Sequence, residues 1–245
     1  SDTLRGGEGT DSLALAWGRD PARHAERVSL QGGAGDDLLD VRAYAEAARE
    51  LTLEGGAGKD SFYINWFPTY GTGSLTILDF QAGEGGDVLD IFDTVYMGGS
   101  PFASGQLLLQ QDGLDTVLWL DPDGKTGSWG HHYLLRLKNV DASQLTAANM
   151  AHGLHPDGST TGFTWNGTDG KDNYTGGWLD DLLYGGDGDD ILNGYYGDDV
   201  VDGGAGNDIL STYYGGMDTL LGGSGNDQLH SHGAGMLYGQ EGDDE

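Results

Sequence analysis

The sequence predicts an all-β protein of stacked repeat units, in two blocks with an antiparallel β-sheet or sandwich region between them. Three observations carry that prediction. Glycine opens a new block every nine residues at positions 167, 176, 185, 194 and 203, and a fixed short period stacks one unit on the next. Similar glycine–aspartate turns recur at wider spacing near the start of the chain. Between Phe62 and Met150 the nine-residue frame gives way to alternating apolar segments separated by Gly, Pro and Asp, the composition of strands and turns.

One unit of the frame is Gly185-Gly186-Asp187-Gly188-Asp189-Asp190-Ile191-Leu192-Asn193. Glycines at places one, two and four admit positive φ, so six residues can close into a tight turn with its carbonyls inward. The aspartate at place six adds a hard anionic oxygen, and a cup of carboxylate and carbonyl oxygens suits Ca²⁺ better than a softer metal. The last three places form a short strand with one inward apolar residue. The pattern G-G-x-G-x-D-x-U-x, with U a large apolar residue, is a calcium-binding repeat, and the chain resembles the RTX, or hemolysin-type calcium-binding repeat, family. That resemblance implies a right-handed parallel β-roll in which two units make one coil, so turns two units apart share an ion. Turns opening at Gly167, Gly185, Gly203 and Gly222 would then bring Asp172, Asp190, Asp208 and Asp227 into a column. Two such carboxylates about 5 Å apart at an effective dielectric near 20 repel by roughly 3 kcal/mol. The column needs cations, so several Ca²⁺ ions are expected and binding couples to folding.

Taken in order, residues 1–63 hold three turns of this type, opening at Gly6, Gly32 and Gly55. Their expected ligands are Asp11, Asp37 and Asp60, with backbone from Gly32, Gly35, Gly55 and Gly58. A short strand precedes each turn, so the same roll is predicted with one edge replaced by excursions. The excursion from Val41 to Glu50 is Ala-rich and predicts about two turns of helix; the one with Asp20-Pro21 reads as a polar loop.

Residues 64–150 are expected to form an antiparallel region packed on the first roll. Strands are predicted over Leu75–Phe80, Val88–Ile91, Gln106–Gln111, Asp115–Leu120 and His132–Leu137, with Asp112-Gly113 as a hairpin signal. Ile77-Leu78-Asp79-Phe80 followed by Gly86-Asp87-Val88-Leu89-Asp90-Ile91 is similar to a segment of the serralysin C-terminal domain. The resemblance implies a capping sheet concerned with type I secretion and makes Asp79, Asp87 and Asp90 candidate ion ligands. Residues 151–164 read as a linker. A second roll, 165–245, is expected to bind metal through Asp172, Asp190, Asp208 and Asp227, with Gly185, Gly188, Gly203 and Gly206. Both ends of the chain fall in mid-pattern, as in a piece of a longer protein.

The second edge of this roll departs from the frame. Trp178, Tyr196 and Tyr214 are each 18 residues apart, and Tyr195 and Tyr213 keep the same step. Rings where glycine is expected predict fewer ions on this edge, despite Asp181, Asp199 and Asp218, because side chains disfavour positive φ. The rings serve either as stacked cement or as a ladder for a glycan or cell surface.

Forty acidic residues against 11 basic ones give a net charge of −29, which disfavours nucleic acid and anionic membranes as partners. Cysteine is absent, and no apolar run approaches a membrane span. No H-E-x-x-H or G-x-S-x-G motif occurs, so no catalytic site is expected in this stretch and any catalytic domain lies outside it. His131, His132, His230 and His232 read as structural or surface residues. Asp121-Pro122-Asp123-Gly124 begins like an EF-hand loop, but Lys125 and Thr126 follow where an oxygen ligand and glycine are required. The expected function is a calcium-binding module of a secreted protein of a Gram-negative bacterium. It would leave by type I secretion machinery, fold on external calcium and act as a structural and export scaffold. The alternative is a carbohydrate- or surface-binding module of an adhesin or polysaccharide-acting enzyme.

Overall fold

The computed structural model describes residues 2–16, 25–44, 48–67, 74–91, 100–121, 124, 132–213 and 216–245. It divides into two compact units: Pro101–Ala151 with the strands before it, and Gly158–Glu245 with His152–Leu154.

The first unit begins with β1 (Asp2–Glu8), β2 (Ser12–Ala16), β3 (Ala25–Ala34), β4 (Leu38–Tyr44), β5 (Ala48–Ala57), β6 (Ser61–Phe67), β7 (Ser74–Ile77) and β8 (Val88–Asp90). Odd strands stack in one parallel sheet and even strands in another, so each pair is one coil. The register aligns Leu4, Leu30, Leu53 and Ile77 on one side and Leu13, Leu39, Phe62 and Leu89 on the other. Except for Leu4, at the end of its row, these side chains are buried. Burying each contributes about 1.5–3 kcal/mol. Alternation places Ser29 and Thr52 outside while Leu30 and Leu53 fill the core, as the two-residue strand period requires.

Three expectations change here. The roll does not stop near residue 63, because β7 and β8 pair in parallel with β5 and β6 as a further coil. The glycine frame is lost in that coil, but Leu75, Ile77 and Leu89 still supply the inward apolar residues. The helix expected over Val41–Glu50 is replaced by β4 and β5 on either side of residues 45–47, which lie outside the described residues. Seven pairings between β4 and β6, from Leu38↔Ser61 to Tyr44↔Phe67, override the local alanine preference. Finally, the antiparallel strands β9 (Leu107–Asp112), β10 (Asp115–Leu120) and β11 (His132–Leu137) extend the roll's own sheet. β11 adds in parallel to β7, and β10 and β9 follow antiparallel, covering an edge that would otherwise expose unpaired backbone. Gly113 (φ +65°) and Leu114 join β9 to β10.

The second unit holds β12 (Thr161–Asn166), β13 (Asn173–Thr175), β14 (Asp180–Asp187), β15 (Ile191–Asn193), β16 (Val200–Ala205), β17 (Ile209–Thr212), β18 (Met217–Ser224), β19 (Gln228–Ser231) and β20 (Ala234–Glu241). Two parallel sheets alternate along the chain, β12-β14-β16-β18-β20 and β13-β15-β17-β19. Residues 161–164, read above as linker, thus belong to β12. Leu183, Val201 and Leu220 face Leu192 and Leu210 in a core one residue wide, closed at one end by Trp165 stacked on Tyr174 at 4.6 Å.

Candidate metal centre

Turns join the two sheets at each edge, and one of them shows how the frame works. In Gly203-Gly204-Ala205-Gly206-Asn207-Asp208, Gly204 and Gly206 take φ of +99° and +142°. Gly203 does not need positive φ; it is glycine for want of space. A Cβ there would fall on the Asp208 carboxylate of its own turn and the Gly222 carbonyl one coil on. Place one is therefore the floor of a cradle formed by a carboxylate and a main-chain oxygen.

The sixth-place aspartates form columns held by a repeated bond. Each Asp N–H donates to the carboxylate of the next coil. In the first unit Asp11 donates to Asp37 at 2.8 Å, Asp37 to Asp60 at 2.9 Å and Asp60 to Asp87 at 2.9 Å. In the second unit Asp172, Asp190, Asp208 and Asp227 are linked in the same way, at 2.8 Å each, and Asp227 continues to Asp244 at 3.1 Å. The other edge carries Asp181 to Asp199 at 2.9 Å and Asp199 to Asp218 at 3.1 Å.

Only one oxygen of each inner carboxylate is used in this way. Among the described residues, Oδ2 of Asp11, Asp37, Asp60, Asp190, Asp199, Asp208, Asp218 and Asp227 is buried with no hydrogen-bond donor. An acceptor-only group buried without a donor is costly. Burial, added to by neighbouring carboxylates, pushes Asp60 and Asp208 up to about 6 and Asp199 up to about 7. These carboxylates call for positive charge. No three His, Cys, Asp or Glu converge among the described residues, so further ligands would be main-chain carbonyls. That donor set fits a hard, oxygen-seeking ion such as Ca²⁺ and not zinc.

Four other carboxylates differ. Asp172 Oδ2 accepts from the Thr168 N–H at 2.7 Å and its hydroxyl at 2.9 Å. Asp181 accepts from Phe163 and Gly177 N–H at 2.6 and 2.5 Å. Asp79 and Asp87 are also saturated: Gly55 and Gly56 N–H bond Asp79 at 3.0 and 2.8 Å, and Gln81 N–H takes the second oxygen of Asp87 at 2.8 Å. Asp181, Asp79 and Asp87 differ from the inner turns in having both oxygens supplied by the chain, and Asp172 differs in having donors on its Oδ2. Asp90 lies at the end of β8, outside the column.

Sequence reasoning left Asp218 and Asp244 out of the metal set and missed a second, outer column. Asp218 follows a ten-residue unit; Asp244 closes Gly239-Gln240-Glu241-Gly242-Asp243-Asp244, where Gln240 holds φ +78° in a glycine place. The outer column uses place five. Asp36 accepts from Lys59 N–H, Asp180 from Asp198, Asp189 from Asn207 and Asn207 from Asn226. The signal was the Asp or Asn before Asp37, Asp181, Asp190, Asp199, Asp208 and Asp227.

On the aromatic edge the rings face one another. Trp178 is buried and lies 5.3 Å from His152 and 5.7 Å from Tyr196; Tyr195 continues to Tyr213, which stacks on His232 at 5.1 Å. Tyr195 adopts φ +78° in spite of its side chain. Tyr214 lies outside the described residues, as do His131, Asp20-Pro21 and most of the 122–130 loop.

Parallel coils joined by glycine–aspartate turns, with buried carboxylate oxygens that no donor meets, define a β-roll whose turns suit a hard cation. Four copies of the RTX calcium-binding nonapeptide repeat match the chain, over residues 1–20, 27–43, 175–210 and 213–245. These matched stretches carry RTX-type repeats of the calcium-binding kind. No curated protein matches the chain.

Proposed function

We propose that this chain is the calcium-folded module of a secreted bacterial protein, threaded out unfolded by type I secretion machinery and serving afterwards as a scaffold. The observation that carries this reading is the set of inner-coil Oδ2 atoms left without a donor. Asp11, Asp37 and Asp60 in the first unit, and Asp190, Asp208 and Asp227 in the second, would hold ions together with carbonyls such as Gly32 O and Gly222 O. Asp199 and Asp218 would do so on the aromatic edge. Calcium, when bound, supplies the positive charge that lets facing carboxylates share one cup. Without it, the inner turns of a chain of net charge −29 repel one another and stay open, which suits passage through a channel. No helix among the described residues is long and apolar enough to cross a membrane.

The test is a calcium titration of the full chain followed by circular dichroism. Strand signal should rise cooperatively, with a midpoint on the order of 0.1–1 mM, the range of extracellular calcium modules. An identical spectrum in chelator and in calcium would overturn the reading. Glycan or cell-surface binding is the second reading, favoured by the exposed Tyr213 beside His232. Loss of glycan binding in Tyr213→Ala, with the calcium midpoint unchanged, would support it.

A further inference from the structure

The last coil of the first roll is closed by a side chain from far along the chain. Asn149 is fully buried. Its Nδ2 donates to three main-chain carbonyls of the 81–87 turn: Asp87 at 2.9 Å, Gly83 at 3.1 Å and Gln81 at 3.4 Å. Its Oδ1 accepts from Gly83 N–H at 2.8 Å and Thr146 N–H at 3.2 Å. The orientation is determined, because the reverse would set an oxygen against three oxygens and an NH₂ against two donors. Thr146 caps the 3₁₀ turn Ala147–Asn149, and Met150 bridges to Leu89, so the amide is held from both sides.

Three carbonyls converging on one point form a cation cradle in miniature. In the inner turns the aspartate keeps an oxygen without a donor, whereas in this coil Asp79 and Asp87 have both oxygens supplied by N–H groups. We infer that the Asn149 amide occupies this last turn in place of an ion, closing the first roll without metal and ending its calcium column at the preceding coil. Asn149 is thus a positioning residue that decides which turn takes an ion. The inference goes beyond the calcium reading and can fail separately from it.

Hydrogen exchange of the full chain, in chelator and in calcium, tests it. Amides of residues 79–91 should be protected in both conditions, whereas those of the inner coils, 30–60 and 185–227, should need calcium. Asn149→Asp keeps the shape but sets a carboxylate against the carbonyls. Its 79–91 amides should exchange at least about tenfold faster in chelator, regain protection in calcium, and the chain should bind one more ion. Asn149→Ala should lose the same protection in both conditions. Calcium-dependent protection of 79–91 in the unaltered chain, wild-type protection of Asn149→Asp in chelator, or failure of calcium to restore Asn149→Asp would each overturn the inference. Inner coils equally protected with and without calcium would instead count against the proposed function.

Discussion

Replacing Asp199 with asparagine should stabilise the metal-free chain and weaken its response to calcium. Asp199 is 1% exposed, its Oδ1 accepts from Asp181 N–H, and its Oδ2 meets no donor. Burial first, and then the carboxylates of Asp181 and Asp218, push its pKa from 3.8 up to about 7. A carboxyl whose pKa is raised by folding stabilises the fold below its unfolded pKa and loses that contribution as pH climbs through the folded value. At pH 7.5 the ionised group therefore costs the metal-free fold about 4 kcal/mol, at 1.36 kcal/mol per unit. Asparagine removes the charge and keeps the acceptor for Asp181. Its NH₂ takes the place of an oxygen with no partner, which costs back about 1–2 kcal/mol. The net gain is about 2 kcal/mol. Urea unfolding at pH 7.5 in chelator, with sucrose to favour the folded form, should show a higher midpoint for Asp199→Asn. Millimolar calcium should stabilise the variant less than the parent. A variant weaker in chelator, or one stabilised by calcium as much as the parent, would refute the reasoning.

Protons should compete with calcium at the same oxygens. Between pH 8 and 5 the calcium midpoint should move to higher concentration, most steeply near 6–7 where Asp60, Asp208 and Asp199 take up protons; a pH-independent midpoint in calorimetric titrations would contradict this. Neighbours on β14 should respond very differently to truncation. Leu183→Ala opens the one-residue-wide core and should cost about 2–5 kcal/mol, whereas Leu182, 38% exposed, should cost under about 1 kcal/mol, as thermal melts in calcium can measure.

The inner columns were legible in the sequence because their chemistry is written in single residues at fixed offsets. A sixth-place aspartate after spaced glycines has few other uses, and Asp190, Asp208 and Asp227 fall one above another for that reason. What stayed hidden depends on partners distant in the chain. Nothing local in Ala-rich 41–50 reveals that β6 lies alongside β4. Likewise, nothing near Asn149 announces that its amide meets carbonyls more than 60 residues earlier. The saturated state of Asp79 and Asp87 was equally invisible, since it depends on N–H groups from the coil before and from the turn itself. Tyr195 shows a different limit: a ring in a glycine place predicted a changed turn, yet the backbone keeps its left-handed angle and the rings of Tyr196 and Tyr213 meet it edge-on.

The aspartate links also give the roll a direction. Every sixth-place N–H looks forward, from Asp11 through Asp37 and Asp60 to Asp87, and from Asp172 through to Asp244. Trimming coils from the front takes the donor from the carboxylate Oδ1 of the coil left exposed, as loss of Asp11 would from Asp37. Trimming from the rear instead orphans the sixth-place amide of the coil left exposed, so the two ends of the roll lose opposite halves of the same bond.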